Sequence, residues 1–366
     1  MKKKILTIVT AIISVLLFLI LVYFAYAFGT YYRVEDNLNL EVISETESGP
    51  VKTAKDYTLV SYNIGFGAYS DDYTFFMDGG HESWAFSKEA VIENVSNAIS
   101  DISSYKTDFT FFQEVDVDAT RSYHIDEKDL IINNYTANTP VASYDFAQNF
   151  DSPFLMYPLY QPHGKSKAGL LTISNFNIDS AIRRSLPIEE GFTKFFDLDR
   201  CYVKNYLPVE GSDKMLVLYN VHLSAYTTDP TTAVNQIVML NEDMKEEYEK
   251  GNYVIAGGDM NKDLLGKSDE YFDRGSVNLD WAKPFPTELL DESFTLIAPL
   301  NTEAPVPSCR NANEPYNPRN TVLTVDGFIV SENVAAKESD VIDTGFENSD
   351  HNPVYLKFML KNTMEQ

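Results

Sequence analysis

Polar side chains of a few types recur at or just beyond short apolar runs. Asn63 follows YTLVSY, Gln113 and Glu114 follow FTFF, and His222 lies in MLVLYNVHL. Asp259 and Asn261 end YVIAGGDMN, Asp326 lies in TVDGFIVS, and Asp350 with His351 precedes VYLKFML. Carboxylates and carboxamides hold hard cations through oxygen, and imidazoles beside carboxylates move protons. Singly, each has an ordinary explanation: Asn63 as a turn cap, Glu114 as an ion-pair partner, Asp259-Met260-Asn261 as a strand exit. Gathered where strands end, they occupy the face on which α/β folds carry chemistry. Cys201 and Cys309 are the only cysteines and no CxxC pair exists, which excludes a zinc knuckle and a thiol redox site. An exported location would permit one disulfide between them; two buried free thiols are the alternative.

The runs that must position these groups are short and β-rich, at 57–63, 109–115, 169–174, 215–223, 253–260, 324–331 and 354–360. They predict buried strands. Between them, Val91, Val95, Ala98 and Ile102 fall on one helical face, as do Ile237, Leu240, Met244 and Tyr248. Strands alternating with helices indicate layered α/β architecture. No repeat, low-complexity tract or second linker appears after Asp56, so residues 56–366 are expected to form one domain.

Ahead of it, Ile5 to Phe28 is an uncharged run of 24 residues without proline, enough to cross roughly 30 Å of hydrocarbon as a helix. Lys2, Lys3 and Lys4 precede it and only Arg33 follows closely, so the positive-inside bias keeps residues 1–4 in the cytoplasm and sends the remainder across. The alternative is secretion after cleavage at Ala25-Tyr26-Ala27, although the run exceeds the roughly 7 to 15 apolar residues of a signal peptide. Residues 29–55 are polar and aperiodic, as expected of a stalk. The formal charge is −25, and residues 34–366 alone carry 25 basic against 54 acidic groups, or −29. General attraction to nucleic-acid phosphates is therefore disfavoured, and only local basic groups or a metal would hold a phosphate.

With these residues in view, the chain resembles the endonuclease/exonuclease/phosphatase superfamily of metal-dependent phosphoesterases. SYNIGFG (61–67), FFQEV (111–115), NVHLS (220–224), GGDMN (257–261), VDGFIV (325–330) and SDHNPV (349–354) are similar to its six motifs and follow in family order. The resemblance implies a four-layer α/β sandwich of two packed mixed sheets. It further implies Glu114 as principal ligand of Mg²⁺, with Mn²⁺ as an alternative, and Asn63 and Asp350 holding the metal or its waters. By the same resemblance Asp326 orients His351, Asp259 orients or deprotonates the nucleophilic water, and Asn261 and His222 donate to the phosphate. Either Asp259 or His351 takes the proton. A hard cation suits this chemistry because negative charge gathers on phosphoryl oxygens in the transition state.

Two lookalikes are set aside. Residues 259–270 match calcium-loop positions at Asp259, Asn261, Asp263 and Glu270, but Leu264 stands where the turn requires glycine. Gly164-Lys165-Ser166 lacks the upstream glycine of a P-loop, since Leu159 occupies that position. Lys165 and Lys167 with His163 beside them are candidate contacts for an anionic head group, with Arg310 and His81 as further rim candidates. The aromatic-rich stretch 143–160 is a candidate pocket wall or plain core.

Three functions fit. The first is a membrane-anchored, extracytoplasmic, magnesium-dependent phosphoesterase acting on a phospholipid head group or other small phosphate ester. The second is a secreted or surface-attached nuclease; a long positive groove through Arg121, Arg183, Arg184 and Arg310 would favour it. The third is a non-catalytic surface binding module.

Overall fold

The computed structural model describes residues 2–137, 139–191, 194, 198–225, 229–272, 274 and 281–362. The chain begins with α1 (Lys2–Thr30), β1 (Leu38–Leu40), β2 (Ile43–Ser44), β3 (Asp56–Asn63), α2 (Lys88–Ser103), β4 (Phe109–Asp116) and α3 (Glu127–Thr136). It continues with β5 (Ser143–Leu155), β6 (Gly164–Ser174), β7 (Ser180–Ser185), β8 (Cys201–Pro208), β9 (Met215–His222), α4 (Pro230–Glu249) and β10 (Tyr253–Asp259). β11 (Phe294–Ile297), β12 (Cys309–Arg310), β13 (Val322–Leu323), β14 (Asp326–Ser331), β15 (Val334–Val341) and β16 (Val354–Leu360) complete it. Every strand and helix singled out by pattern is present, with boundaries shifted by a few residues.

The strands assemble into two seven-stranded sheets, β1-β7-β8-β9-β10-β14-β11 and β15-β16-β3-β4-β6-β5-β2. Each is mixed: β9 runs parallel to β10 and β3 to β4, while the other neighbours are antiparallel. Each parallel pair is joined through a helix, α4 or α2, as parallel crossovers require.

The two-residue side-chain period of a strand explains the layers. Leu59, Phe109 and Phe111 of one sheet meet Leu216, Leu218, Tyr253 and Ile255 of the other in a central core. The intervening residues face outward: Val60, Tyr62 and Phe112 onto α2 and α3, and Val217, Tyr219 and Val254 onto Ile237, Leu240 and Met244 of α4. The order helix, sheet, sheet, helix is the four-layer sandwich expected.

The expected stalk is a correction. Its residues close both sheets: β1 pairs with β7 and β2 with β5, and Val51 bridges Val209. Arg183 is fully buried and donates to the carbonyls of Glu35 (3.1 Å), Gln148 (2.8 Å) and Asp199 (2.8 Å). Runs of two or three residues carry too little pattern to be recognised as strands, and the sheet edges supply the missing half of each ladder. The folded domain therefore starts near Val34 rather than Asp56. Both cysteines are free and buried, without a disulfide.

Candidate active site

Strand register brings the polar groups together. Asn63 pairs with Gln113 at the end of the β3/β4 ladder, and His222 with Asp259 at the end of β9/β10. Because β14 is antiparallel to β10, its first residue, Asp326, stands opposite Asp259. The loop bearing Asp350 and His351 enters β16, whose first residue pairs with Ser61. Gln113 ties the sheets together, with Nε2 donating to Asn220 Oδ1 at 2.8 Å. A bulge between Phe112 and Val115 gives Glu114 a φ of +55°, and Asn261 has a φ of +48°. Left-handed backbone at two non-glycine residues costs energy and is common where a fold aims functional side chains.

Around one cavity of about 540 Å³, Asn63 Nδ2 donates to Glu114 Oε1 (3.3 Å) and Asp259 Oδ2 (3.1 Å). His222 Nε2 stands 3.4 Å from Asp259 Oδ2 and 3.8 Å from Glu114 Oε1. His351 Nδ1 pairs with Asp326 Oδ2 at 2.8 Å, and its Nε2 lies 3.9 Å from Asp259 Oδ2 and 3.7 Å from Cys309 Sγ. Asn261 donates from its amide to Asp259 Oδ1 at 2.8 Å. Ser349 Oγ fixes the loop by donating to the Asn63 carbonyl at 2.8 Å.

Burial pushes the Asp350 carboxyl up to about 7, with Glu114 adding repulsion, and the Asp259 carboxyl up to about 6. For His351, burial opposes the charged ring, but Asp326 outweighs it and holds the pKa well above the usual value. His222 is driven down by burial and stays neutral. Buried carboxyls whose pKa values are raised gather several oxygens at one place, and those oxygens fit a hard divalent cation. Asp259, Asp326 and His351 present ligand atoms within 4.8 Å of one another.

Glu114, His222, Asp259, Asn261, Asp350, His351 and Arg310 line the cavity; Asn63 and Asp326 stand behind it, bonded to Asp259 and His351. Lys165, Lys167 and His81 do not line it, contrary to expectation. Lys165 and Lys167 alternate with the buried Ser166 and Ala168 along β6, so they take its more open face, and Lys165 pairs with Asp118. His81 is exposed, and its turn is held by its amide to Thr74 and its carbonyl to Tyr160. His163 does line the cavity, but burial and Arg121 push its pKa down to about 3, leaving it a neutral wall. The calcium-loop lookalike is spent on a turn in which Asp263 accepts from Ser268 and Leu265.

Arg200 is a member of the site that pattern did not single out. It lines the cavity, is 6% exposed, and its Nε and Nη1 have no hydrogen-bond partner among the described residues. Arg310, 1% exposed, likewise leaves Nε and Nη1 unpaired while Nη2 donates to the Ser70 carbonyl at 2.9 Å. A lone basic residue in FDLDRCY carries no spacing signal; only its unusual sign amid acidic residues hints at it.

Residues 60–351 match the Endonuclease/Exonuclease/phosphatase family. A comparison with curated proteins finds no match. Among solved structures, an endonuclease/exonuclease/phosphatase from Beutenbergia cavernae DSM 12333 is 14% identical, with 84% of this chain and 72% of that one covered at a TM-score of 0.52. ANGEL2, a 2′,3′-cyclic phosphatase, is 13% identical, with 89% and 99% covered at 0.52. A mannosyl-6-phosphatase from Bacteroides thetaiotaomicron VPI-5482 is 14% identical, with 83% and 100% covered at 0.50. At such identities the likeness is one of fold.

Proposed function

The chain belongs to the endonuclease/exonuclease/phosphatase family, and from that premise we propose that it is a magnesium-dependent phosphoesterase, anchored by α1, acting outside the cytoplasm on a phospholipid head group or small phosphate ester. The observation that carries this reading is the convergence of Glu114, Asp259, Asp350, His222 and His351 on one cavity. In this reading Glu114 holds Mg²⁺ or Mn²⁺ with Asn63 and Asp350 beside it. The bound cation supplies charge neutralisation and polarisation at the phosphoryl oxygens.

The remaining steps belong to the protein's own side chains. Asp326 fixes the His351 ring through Nδ1 and favours its charged form, so Nε2 is suited to donate to a phosphate oxygen. Asp259, steadied by the Asn261 amide and Asn63, is the better placed acceptor for the proton of the attacking water. His222 and Asn261 orient around the phosphate, and the unpaired edges of Arg200 and Arg310 offer guanidinium donors to its oxygens.

A compact cavity supports a small ester over a polymer. Of the four arginines that would make a nucleic-acid groove, Arg183 and Arg310 are fully buried, Arg121 pairs with Asp116, and Arg184 pairs with Asp36 and Asp243. The deciding experiment assays the purified full chain against DNA, RNA, sphingomyelin, phosphatidylinositol phosphates and generic diesters, with Mg²⁺, Mn²⁺ or EDTA. Glu114→Ala and His351→Ala are each expected to lower metal-dependent hydrolysis by roughly 10²-fold or more while circular dichroism stays unchanged. Near-normal turnover in both variants overturns the proposal.

A further inference from the structure

Outside α1, the described large apolar side chains are mostly covered, with one concentrated exception at the end of β5 and in the loop after it. Leu159 is 81% exposed, Tyr160 67%, Tyr157 58%, and Phe154 and Met156 40% each. Residues 152–164 carry no Asp, Glu, Lys or Arg, within a domain whose formal charge is strongly negative. Clustered apolar exposure of this kind marks an interaction surface.

This loop is fastened to α1. Tyr23 Oη donates to the Phe154 carbonyl (3.4 Å) and accepts from the Met156 amide (3.1 Å). Ile5 to Val22 spans 18 residues, or about 27 Å of helix, close to the hydrocarbon thickness of a bilayer. Tyr23, Tyr26, Tyr31 and Tyr32 follow, the aromatic belt expected at a membrane interface. The hydrogen bonds of Tyr23 therefore set the loop at the depth of that belt. The same loop reaches the cavity: Leu155 and Tyr157 line it together with Phe76 and Met77, and the Phe76 ring lies 5.5 Å from Tyr157.

We propose that the rim Phe154, Met156, Tyr157, Leu159 and Tyr160 sits in the outer interface of the bilayer crossed by α1, delivering a phospholipid head group from the membrane plane into the catalytic cavity. This rests on the reading of α1 as an anchor and of the cavity as a phosphoesterase site. The rim's lack of charge suits a neutral or zwitterionic surface, since an anionic one would repel the acidic domain and residues 152–164 bring no Lys or Arg to offset it.

The test uses the full chain in phosphatidylcholine nanodiscs, one chain per disc. An environment-sensitive fluorophore is placed on Leu159→Cys, with the same probe on Asp213→Cys, in the exposed turn before β9, as reference. The Leu159 probe is expected to emit to the blue of the reference and to lose at least half its intensity to lipids spin-labelled near the head group. Water-like emission without quenching overturns the proposal. So does self-quenching that appears only at two chains per disc with no response to the lipids, which would assign the rim to a second copy. In parallel, Leu159→Asp is expected to lower hydrolysis of bilayer phospholipid tenfold or more while a water-soluble diester is cleaved within twofold of the parent. Unchanged lipid hydrolysis also overturns the rim. A parent inactive on every ester indicts the phosphoesterase reading alone, because the probe measurement does not depend on turnover.

Discussion

Asp326 meets both partners through one oxygen, Oδ2, which accepts from Ser308 Oγ at 2.7 Å and pairs with His351 Nδ1 at 2.8 Å. Replacing Asp326 by Asn keeps its shape but removes the charge that favours protonated His351. Turnover is expected to fall roughly 10²- to 10⁴-fold with little change in KM, measured by steady-state kinetics beside a melting curve. Such residues were legible because each stands at or just beyond an apolar run, so position along a strand reported position in space. Arg200 was not, since nothing in its neighbours distinguishes a buried, unpaired guanidinium from a solvated one. Lys165 and Lys167 misled for the same reason: charge in a sequence does not say which face of a strand it takes, and β6 turned both away from the cavity.

At the scale of elements, α4 is pinned to its sheet by charge as well as by packing. Lys204 of β8 pairs with Asp243 and Glu247 of α4, with all three side chains at most 8% exposed. Removing one member of a buried ion network leaves the others uncompensated, so Lys204→Met is expected to destabilise the domain by about 3 kcal/mol, read from urea unfolding. Burial works against the Glu247 carboxylate, yet Lys250, Lys204 and Tyr206 outweigh it and hold its pKa at about 2, below its ordinary 4.5. The unfolded state then binds the proton first. The stabilisation is complete above about pH 4.5 and is lost as pH falls toward 2. Glu247→Gln should flatten that acid limb of the stability profile, which melting temperatures across the range would show. The helical face of α4 and the run of β9 were visible as periodicity. β1, β2, β7, β8 and β15 were not, because edge and polar-faced strands lack a continuous apolar signal and take their shape from a neighbour's open ladder.

For the whole molecule, a cation that binds only the folded site must stabilise it. At 100 times its dissociation constant, Mg²⁺ would contribute about 2.7 kcal/mol, a rise on the order of 5 °C in Tm for a domain of this size. Scanning calorimetry with Mg²⁺ and with EDTA should show that rise in the parent and lose it in Glu114→Ala. The amino acid order alone determined that α1 is long and apolar enough to cross a membrane, the layered α/β class, and the identity of the groups that gather at the strand ends. These are matters of hydrophobic period and residue type, which are local properties of a chain. Tertiary structure alone decided that residues 34–55 close the two sheets, that Arg200 faces the cavity with an edge unpaired among the described residues, and that the loop beyond β5 lies against Tyr23. Each of these depends on which distant segments meet, and long-range pairing leaves no period along the chain from which to read it.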